Sequence, residues 1–295
     1  MTDLVLALDF GGTKIAAALV DPVGTVVRTA RVPTPADPWD AVVSLVSSVV
    51  EDVPVVGVGI ASAGPVDTVA GTVSPINVPS WQAFPLRASM AALFPGVPVE
   101  LAGDGVCMAL GEHRHGAGRG STHMVGLVVS TGVGGGLVLD GRPFGGRTGN
   151  AGHIGHVVVE ADGEPCSCGG RGCVETVAGG PRMVAWARQA GWRAPDDADA
   201  ALLAAAALAG EEIPLEAFDR AGQAVGMAIA GAAAVCDLDV AVIGGGVAQA
   251  GELLFEPVRR ALKAHAGLSF LEGIEVRAAE LGGAAGLVGA AALVR

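Results

Sequence analysis

The fold is decided by the stretch Asp9-Phe10-Gly11-Gly12-Thr13-Lys14, which lies between two short apolar runs, Leu4–Asp9 and Ile15–Val20. Two apolar runs joined by a glycine-rich turn predict a β-hairpin, and Thr25–Val32 predicts a third strand that completes a meander. Glycine lets backbone N–H groups approach an anion closely, and Asp9, Thr13 and Lys14 add a carboxylate, a hydroxyl and a cation. These are the groups that a metal–triphosphate requires, although a Walker A motif is absent.

Two further glycine-rich turns follow predicted strands. The first, Ser130-Thr131-Gly132-Val133-Gly134-Gly135-Gly136, comes after the strand His123–Ser130, and the second, Gly244-Gly245-Gly246, comes after Val240–Ile243. For any one of these turns alone, a tight hairpin is the simpler interpretation. Because a strand, a glycine-rich turn and a return strand occur twice, we expect a faint internal duplication rather than a sequence repeat.

Composition and charge exclude several classes of protein. The chain has 295 residues, is 51% hydrophobic and carries a net charge of −12, which argues against a disordered chain and against a nucleic-acid binder. Its length suggests two lobes, each with its own core. The longest charge-free apolar stretches, Ala221–Cys236 and Met124–Leu139, are each 16 residues long, whereas a membrane span needs about 20. Since the N-terminus also lacks a basic leader, we expect a cytoplasmic protein without membrane contact.

Strands that alternate with helices predict an α/β class. The predicted helices are Trp39–Glu51, Val106–Arg114, Pro181–Ala190, Ala198–Ala209, Pro214–Cys236 and Ala284–Val294. Further strands are predicted at Val53–Ile60 and Val99–Ala102. The long stretch Ala61–Ala88, which contains Asn77 and Trp81, is rich in Gly, Pro, Ser and Asn and predicts a functional loop.

Three of the five cysteines lie close together, in the pattern His156-x9-Cys166-x-Cys168-x4-Cys173. One histidine and three cysteines at short spacing predict a closed, four-ligand zinc site of the structural kind. Such a site has no open position, so we expect no zinc-bound water. The other two cysteines, Cys107 and Cys236, are interpreted as small buried apolar residues.

Two carboxylates stand at positions that suit chemistry. Asp104 lies where a predicted strand ends and a helix begins, and a helix N-cap is the simpler role for it taken alone. Glu175 follows the cysteine cluster by two residues and would otherwise be an ordinary solvated carboxylate.

Together these motifs resemble the ROK family of sugar kinases and repressors. Asp9–Lys14 and Ser130–Gly136 are similar to its two phosphate loops, and Ile243–Val247 resembles its adenosine motif. Gly152–His156, continued through Cys166–Glu175, resembles its zinc and sugar signature, and the likeness covers nearly the whole chain. The resemblance implies an actin-like ATPase (hexokinase/ribonuclease H-like) fold with two lobes. We expect these at 1–103 and 104–283, with the last helix, 284–295, packing on the first lobe.

The resemblance also implies a role for each matching residue. Asp104 matches the catalytic base, which takes the proton from the attacking sugar hydroxyl. The positions that match sugar contacts are Gly64, Asn77, His153, His156 and Glu175. Those that match ATP contacts are Asp9, Gly11, Gly12, Thr13, Lys14, Thr131, Gly132, Gly134, Gly244, Gly245 and Gly246. The implied cofactors are Mg²⁺ carried by ATP and one structural zinc held by His156, Cys166, Cys168 and Cys173. A homodimer or homotetramer is also implied.

Two departures from the family pattern leave the substrate open. The usual Asn-Asp pair is Gly103-Asp104 here, and the usual Glu is replaced by His153. Phosphorylation of glucose at the 6-hydroxyl is our first expectation. The alternatives are a kinase for N-acetylmannosamine, N-acetylglucosamine or another sugar, a polyphosphate donor, and a non-catalytic sugar sensor. Because the first strand begins at Leu4, we expect the enzyme branch of the family rather than a DNA-binding repressor.

Overall fold

The computed structural model describes residues 3–295, which form twelve strands and nine α-helices. The strands are β1 (Val5–Phe10), β2 (Lys14–Val20), β3 (Val26–Pro33), β4 (Gly57–Ser62), β5 (Val66–Asp67), β6 (Thr72–Val73), β7 (Val99–Gly103), β8 (Met124–Val129), β9 (Val133–Leu139), β10 (Arg142–Phe144), β11 (Val240–Gly244) and β12 (Glu275–Ala278). The helices are α1 (Trp39–Val50), α2 (Leu86–Leu93), α3 (Asp104–His115), α4 (Val174–Ala178), α5 (Gly180–Gln189), α6 (Ala200–Leu208), α7 (Glu212–Cys236), α8 (Glu252–His265) and α9 (Ala285–Ala292).

Two five-stranded sheets have the same strand order. The first is β3-β2-β1-β4-β7, and the second is β10-β9-β8-β11-β12. In the first sheet, β1 to β3 form the predicted antiparallel meander, while β4 runs parallel to both β1 and β7. In the second sheet, β11 runs parallel to both β8 and β12. The matching order supports the internal duplication expected from the two glycine-rich turns.

The chain divides into two compact units. One unit runs to Gly120 and includes Gly136–Gly152 and Leu281–Arg295, and the other consists of Ser121–Gly135 and His153–Glu280. The predicted lobes, 1–103 and 104–283, stay a prediction. Helix α3 belongs to the first unit of the structure because it packs closely on α9, where a Cβ on Gly289 would lie only 1.6 Å from the carbonyl oxygen of Cys107.

In the first unit, apolar side chains cover both faces of β1. Leu6, Leu8 and Phe10 pack on one face in a cluster that includes residues of α1 and α2, while Val5 and Ala7 pack on the other in a cluster that includes residues of α3 and α9. A strand covered on both faces reads as a continuous apolar run, which explains the uninterrupted pattern before Asp9.

In the second unit, helices surround α7, the longest helix of the described residues. It packs against α4, α5, α6 and α8, and its buried side includes many Ala and Gly residues that allow close helix contact. Among residues 3–295, no helix combines the length and the apolar character that crossing a membrane would require.

Several sequence predictions of elements were wrong. The strand predicted at Val53–Ile60 is Gly57–Ser62, because Val53 and Val55 pack against the core from outside the sheet. The predicted loop Ala61–Ala88 contains the small hairpin β5–β6 and the start of α2. Helix α8, with Pro257 inside it, and the edge strands β10 and β12 were missed.

Candidate functional site

The first glycine-rich turn joins β1 to β2 and is closed by backbone hydrogen bonds. The N–H of Gly11 donates to the carbonyl of Lys14 at 3.0 Å. Thr34 holds the turn from outside, because its hydroxyl donates to the carbonyl of Gly11 at 2.9 Å and its N–H donates to the carbonyl of Thr13 at 3.0 Å. Thr13 and Lys14 remain exposed. The turn therefore presents a hydroxyl and a cation on a fixed backbone.

Two carboxylates lie at the same edge of the first sheet. Asp9 is at the end of β1, and Asp104 follows the end of β7 as the first residue of α3. Burial, and then the charge of Asp104, raise the pKa of Asp9 to about 6, against the opposing effect of Lys14. Asp104 is exposed, and its Oδ1 accepts a hydrogen bond from the N–H of Gly105 at 2.7 Å. An exposed carboxylate held at a helix start is accessible to a hydroxyl group of a ligand.

Asn77 reaches the first turn from the long loop. A Cβ on Gly12 would lie 2.5 Å from the Nδ2 of Asn77, so only glycine leaves room for this amide. Nearby, Trp81 is fully buried and stacks on Phe10 and Phe84, with ring centroids 4.4 and 4.1 Å apart respectively. The stack fixes the loop to the end of β1. The structure thus brings the predicted sugar-contact residue Asn77 together with the first predicted phosphate loop.

The second glycine-rich turn, between β8 and β9, donates a backbone hydrogen bond to a carboxylate from outside the turn. The N–H of Val133 donates to Oε2 of Glu175 at 3.0 Å, and a Cβ on Gly132 would lie 2.4 Å from that same oxygen. The N–H of Ser130 donates to the carbonyl of Gly132 at 2.9 Å and closes the turn. The family resemblance implies a sugar contact for Glu175, and nothing in the sequence indicates this contact with the turn.

The residues His156, Cys166, Cys168 and Cys173 come together. Their candidate ligand atoms all lie within 4.8 Å of one another. The Sγ atoms of Cys168 and Cys173 are 3.7 Å apart, and Sγ of Cys166 is 3.7 Å from Nδ1 of His156. Ligands of a tetrahedral zinc, at about 2.3 Å for sulfur and 2.0 Å for nitrogen, would be separated by about 3.5–3.8 Å. The donor set and its spacing therefore fit Zn²⁺.

The third glycine-rich turn, Gly244-Gly245-Gly246, lies beside a cavity of about 480 Å³ in the second unit. Thr131 and Gly246, both predicted ATP contacts, line it. Lining residues that sequence reasoning missed are Gly180, Pro181, Arg188, Asp199 and Gln249. The only sequence signal for them was the Gly-Gly-Pro start of α5. The volume is in the range of small-molecule and cofactor sites.

The remaining predicted sugar contacts are His153 and Gly64. His153 is exposed, and its ring centroid lies 6.1 Å from that of His156 in the second unit. Gly64 follows β4 in the first unit, and a Cβ there would be 3.9 Å from Oδ1 of Asn150. That amide also holds the loop, since its Oδ1 accepts from the N–H of Val66 at 3.2 Å. Asn150 was not singled out from the sequence.

The raised pKa of Asp9 predicts a specific pH dependence of stability. A folded pKa of about 6, against an ordinary aspartate pKa of 3.8, means that the native state binds the proton more tightly than the unfolded state. Stability should therefore fall as pH rises from about 4 to about 6. Asp9→Asn should remove this fall. Above pH 6 it should stabilise the protein without bound Mg²⁺ by at most about 3 kcal/mol. Chemical denaturation of wild type and Asp9→Asn at pH 4.5 and 7.5 measures the free energy of unfolding. An equal effect of Asp9→Asn at both pH values would contradict the assignment.

The cysteine cluster predicts one zinc ion per chain. Cys168→Ser should lose the metal and lower the free energy of unfolding by roughly 3 kcal/mol or more, because a structural metal contributes to folding directly. Metal content by mass spectrometry and thermal unfolding measure both effects. Cys236→Ser, which alters a cysteine outside the cluster, is the control and should keep the metal. A wild-type protein that folds without zinc, and is unaffected by chelators, would show that the prediction is wrong.

Known proteins match this chain over nearly its whole length. A model of the ROK family matches residues 5–295. The glucokinase of Streptomyces coelicolor is 33% identical over 311 residues, covering 99% of this chain and 98% of that one. The N-acetylmannosamine kinase of Citrobacter koseri is 37% identical over 246 residues, covering 82% and 83%. The crystal structure of a ROK family glucokinase from Streptomyces griseus, in complex with glucose and AMPPNP, has a TM-score of 0.83 and 34% identity, and covers 98% of each chain.

These matches confirm the resemblance seen in the sequence motifs, and the chain belongs to the ROK family, with the actin-like ATPase fold.

Proposed function

We propose that this chain transfers the terminal phosphoryl group of ATP to a sugar hydroxyl, with the 6-hydroxyl of glucose as the first candidate acceptor. The observation that carries the proposal is the placement of the exposed Asp104 carboxylate at the same sheet edge as Asp9 and the first glycine-rich turn. A sugar kinase needs a base near the site where the terminal phosphate arrives. The kinases named among its relatives support the same reaction class.

Asp104 would act as the general base. Its carboxylate would accept the proton of the attacking hydroxyl, so that the oxygen becomes a better nucleophile toward the phosphorus. Asp9, Thr13 and Lys14 would bind Mg²⁺ and the phosphate groups through a carboxylate, a hydroxyl and an ammonium group. The Mg²⁺ would neutralise charge on the transferring phosphoryl group. In each glycine-rich turn, backbone N–H groups are of the kind that would donate to phosphate oxygens.

His156 would contact the sugar through a nitrogen that the metal does not use. Nδ1 faces the cysteines, which leaves Nε2 for a hydroxyl group. A metal on Nδ1 fixes the tautomer, so Nε2 carries the proton and donates a hydrogen bond. Gly64, Asn77, His153 and Glu175 would supply the other sugar contacts, of which the amide of Asn77 lies beside Gly12 of the first turn.

The cavity beside Thr131 and Gly246 would hold the adenosine part of ATP. We also infer a cytoplasmic location, because the three cysteine ligands must stay reduced and such clusters persist in reducing compartments. A homo-oligomer stays a prediction, and polyphosphate stays the alternative to ATP as the phosphate donor.

A second candidate acceptor is an N-acetylhexosamine, and Gly103 favours it. This residue is the N-cap of α3, with φ −65° and ψ 149°, a conformation open to any residue. A Cβ there would meet nothing within 4 Å, so neither backbone nor packing requires glycine beside the proposed base. The free space suits an acceptor bulkier than an unsubstituted hexose. An N-acetylmannosamine kinase is also among the relatives.

Replacing the proposed base tests the reaction. Asp104→Asn should lower kcat by about 10²–10⁴, because the amide cannot accept the proton at neutral pH. Binding of the sugar should change little. Release of ADP with a panel of sugars measures turnover, and calorimetry measures sugar affinity.

The exposed Asp52 offers a matched control, since Asp52→Asn makes the same chemical change away from the site and should leave turnover unchanged. Near-normal turnover of Asp104→Asn would refute the base role. Saturable sugar binding by wild-type protein, without ADP release for any sugar, would favour a sensor.

Filling the space at Gly103 tests the acceptor. Gly103→Asn should be tolerated, and should stabilise α3 by a few tenths of a kcal/mol, because Asn is a preferred N-cap. It should shift the ratio of kcat/KM toward glucose and away from N-acetylmannosamine by roughly fivefold, equivalent to one hydrogen bond. Gly103→Ala, which fills less space and adds no amide, is the control. An unchanged ratio in Gly103→Asn would show that this position does not select the acceptor.

A further inference from the structure

The turn Ser130–Gly136 contains an electrostatic conflict. Its backbone N–H groups are the donors that the proposed function assigns to phosphate oxygens, yet the N–H of Val133 already donates to the carboxylate of Glu175 at 3.0 Å. The carboxylate also lies against Gly132, where a Cβ would be 2.4 Å from its Oε2. A phosphate group at this turn would have to share the N–H with a negative charge or displace it.

The chain around Glu175 holds the carboxylate near the turn. Glu175 lies in the first turn of α4, which begins directly after the cluster residue Cys173. The carbonyl of Glu175 accepts a hydrogen bond from the N–H of Gly179 at 3.1 Å, and the N–H of the next residue, Gly180, donates to the carbonyl of Ser130 at 2.7 Å. The backbone of α4 is therefore tied to the turn, so loss of the contact with Val133 requires a movement of the Glu175 side chain.

The two oxygens of Glu175 have different partners. Oε2 holds the N–H of Val133, whereas the partner of Oε1 is the hydroxyl of Ser167 at 3.5 Å. A hydrogen bond of that length is weak. A sugar hydroxyl at a normal hydrogen-bond distance would make a stronger bond to Glu175 than Ser167 does. It would therefore compete with Ser167 and Val133 for the carboxylate.

We propose that Glu175 is a positioning residue that controls access of the phosphate donor to the turn. Its carboxylate leaves the N–H of Val133 free for a phosphate group only when an acceptor is bound. Without an acceptor, its carboxylate keeps the N–H of Val133 and repels a phosphate group. An acceptor hydroxyl draws the carboxylate off the turn, and the N–H becomes available to the donor. This rests on the proposed function, in that Glu175 contacts the sugar.

The consequence is a coupling between the two ligands. Sugar should tighten nucleotide binding, and nucleotide should tighten sugar binding by the same factor. ATP without sugar should bind weakly and be hydrolysed slowly, since the turn is closed to its phosphates. The carboxylate would thereby protect ATP from water until an acceptor is in place.

The test is the affinity of the intact protein for Mg²⁺–AMPPNP, measured by calorimetry with and without glucose or N-acetylmannosamine. For wild type, we expect sugar to tighten binding by about tenfold, within the usual range of such couplings. In Glu175→Ala and Glu175→Gln, binding without sugar should already be at least threefold tighter than in wild type, and sugar should add nothing. ATP hydrolysis without sugar should rise in both variants.

Glu164→Gln is the matched control, because it removes an exposed carboxylate from the same cysteine-rich segment and should keep the wild-type coupling. Zinc content and thermal unfolding of each variant establish that α4 and the cluster are intact. If both Glu175 variants bind Mg²⁺–AMPPNP without sugar as weakly as wild type, or more weakly, the carboxylate only supports the turn and the proposal is overturned.

This outcome is distinct from failure of the proposed function. The absence of sugar phosphorylation by wild type would refute the kinase assignment. The comparison of Glu175→Ala with wild type in the absence of sugar still decides whether the carboxylate opposes a phosphate group at the turn.

Discussion

The parallel pairing of β1, β4 and β7 is the constraint on which the arrangement of the candidate residues in the first unit depends. Asp9 pairs with Ala61 on β4, and Ala61 pairs with Ala102 on β7. This register brings two aspartates that are far apart in the sequence to one edge of the sheet. The carboxyl ends of parallel strands meet at a common edge, which is where α/β proteins bind ligands. The coupled charges of Asp9 and Asp104 follow from the register.

The second unit repeats the strand order of the first around a turn with different side chains. Both sheets have the same strand order, and in both a glycine-rich turn joins the first two strands of an antiparallel meander. The first turn adds Asp9, Thr13 and Lys14 to its backbone donors, whereas the second is bordered by Glu175 and the cysteine cluster. The same strand order thus surrounds one turn with charged side chains and the other with a carboxylate and a cluster of candidate metal ligands. The two sheets provide equivalent edges, and the side chains at each edge determine its chemistry.

The sequence predicted those parts of the structure that depend on local spacing. The three glycine-rich turns follow strands as expected, and the four proposed zinc ligands converge because they lie on one short loop. It did not predict α8, because Pro257 lies inside that helix and is a poor helix residue. The edge strand β12 was missed because Glu275 and Arg277 give it no apolar pattern.

The non-local contacts of the site were also beyond sequence reasoning. Nothing in the spacing of Glu175 and Val133 indicates a hydrogen bond, because it depends on how α4 packs beside the turn. The lining of the cavity by Arg188, Asp199 and Gln249 depends in the same way on the packing of α5 and α6. Long-range packing of this kind is set by the whole core and not by any single segment.

The stack of Phe10, Trp81 and Phe84 gives the protein a native optical probe. The chain has four tryptophans and no tyrosine, so its ultraviolet emission comes from indole rings alone. Trp81 is fully buried, and among the described residues its indole N–H has no hydrogen-bond acceptor. An indole in such dry surroundings emits at short wavelength. Because its neighbour Phe10 ends β1 at the first turn, the share of the emission that comes from Trp81, one of four tryptophans, reports on the chain next to the proposed phosphate loop without any added label.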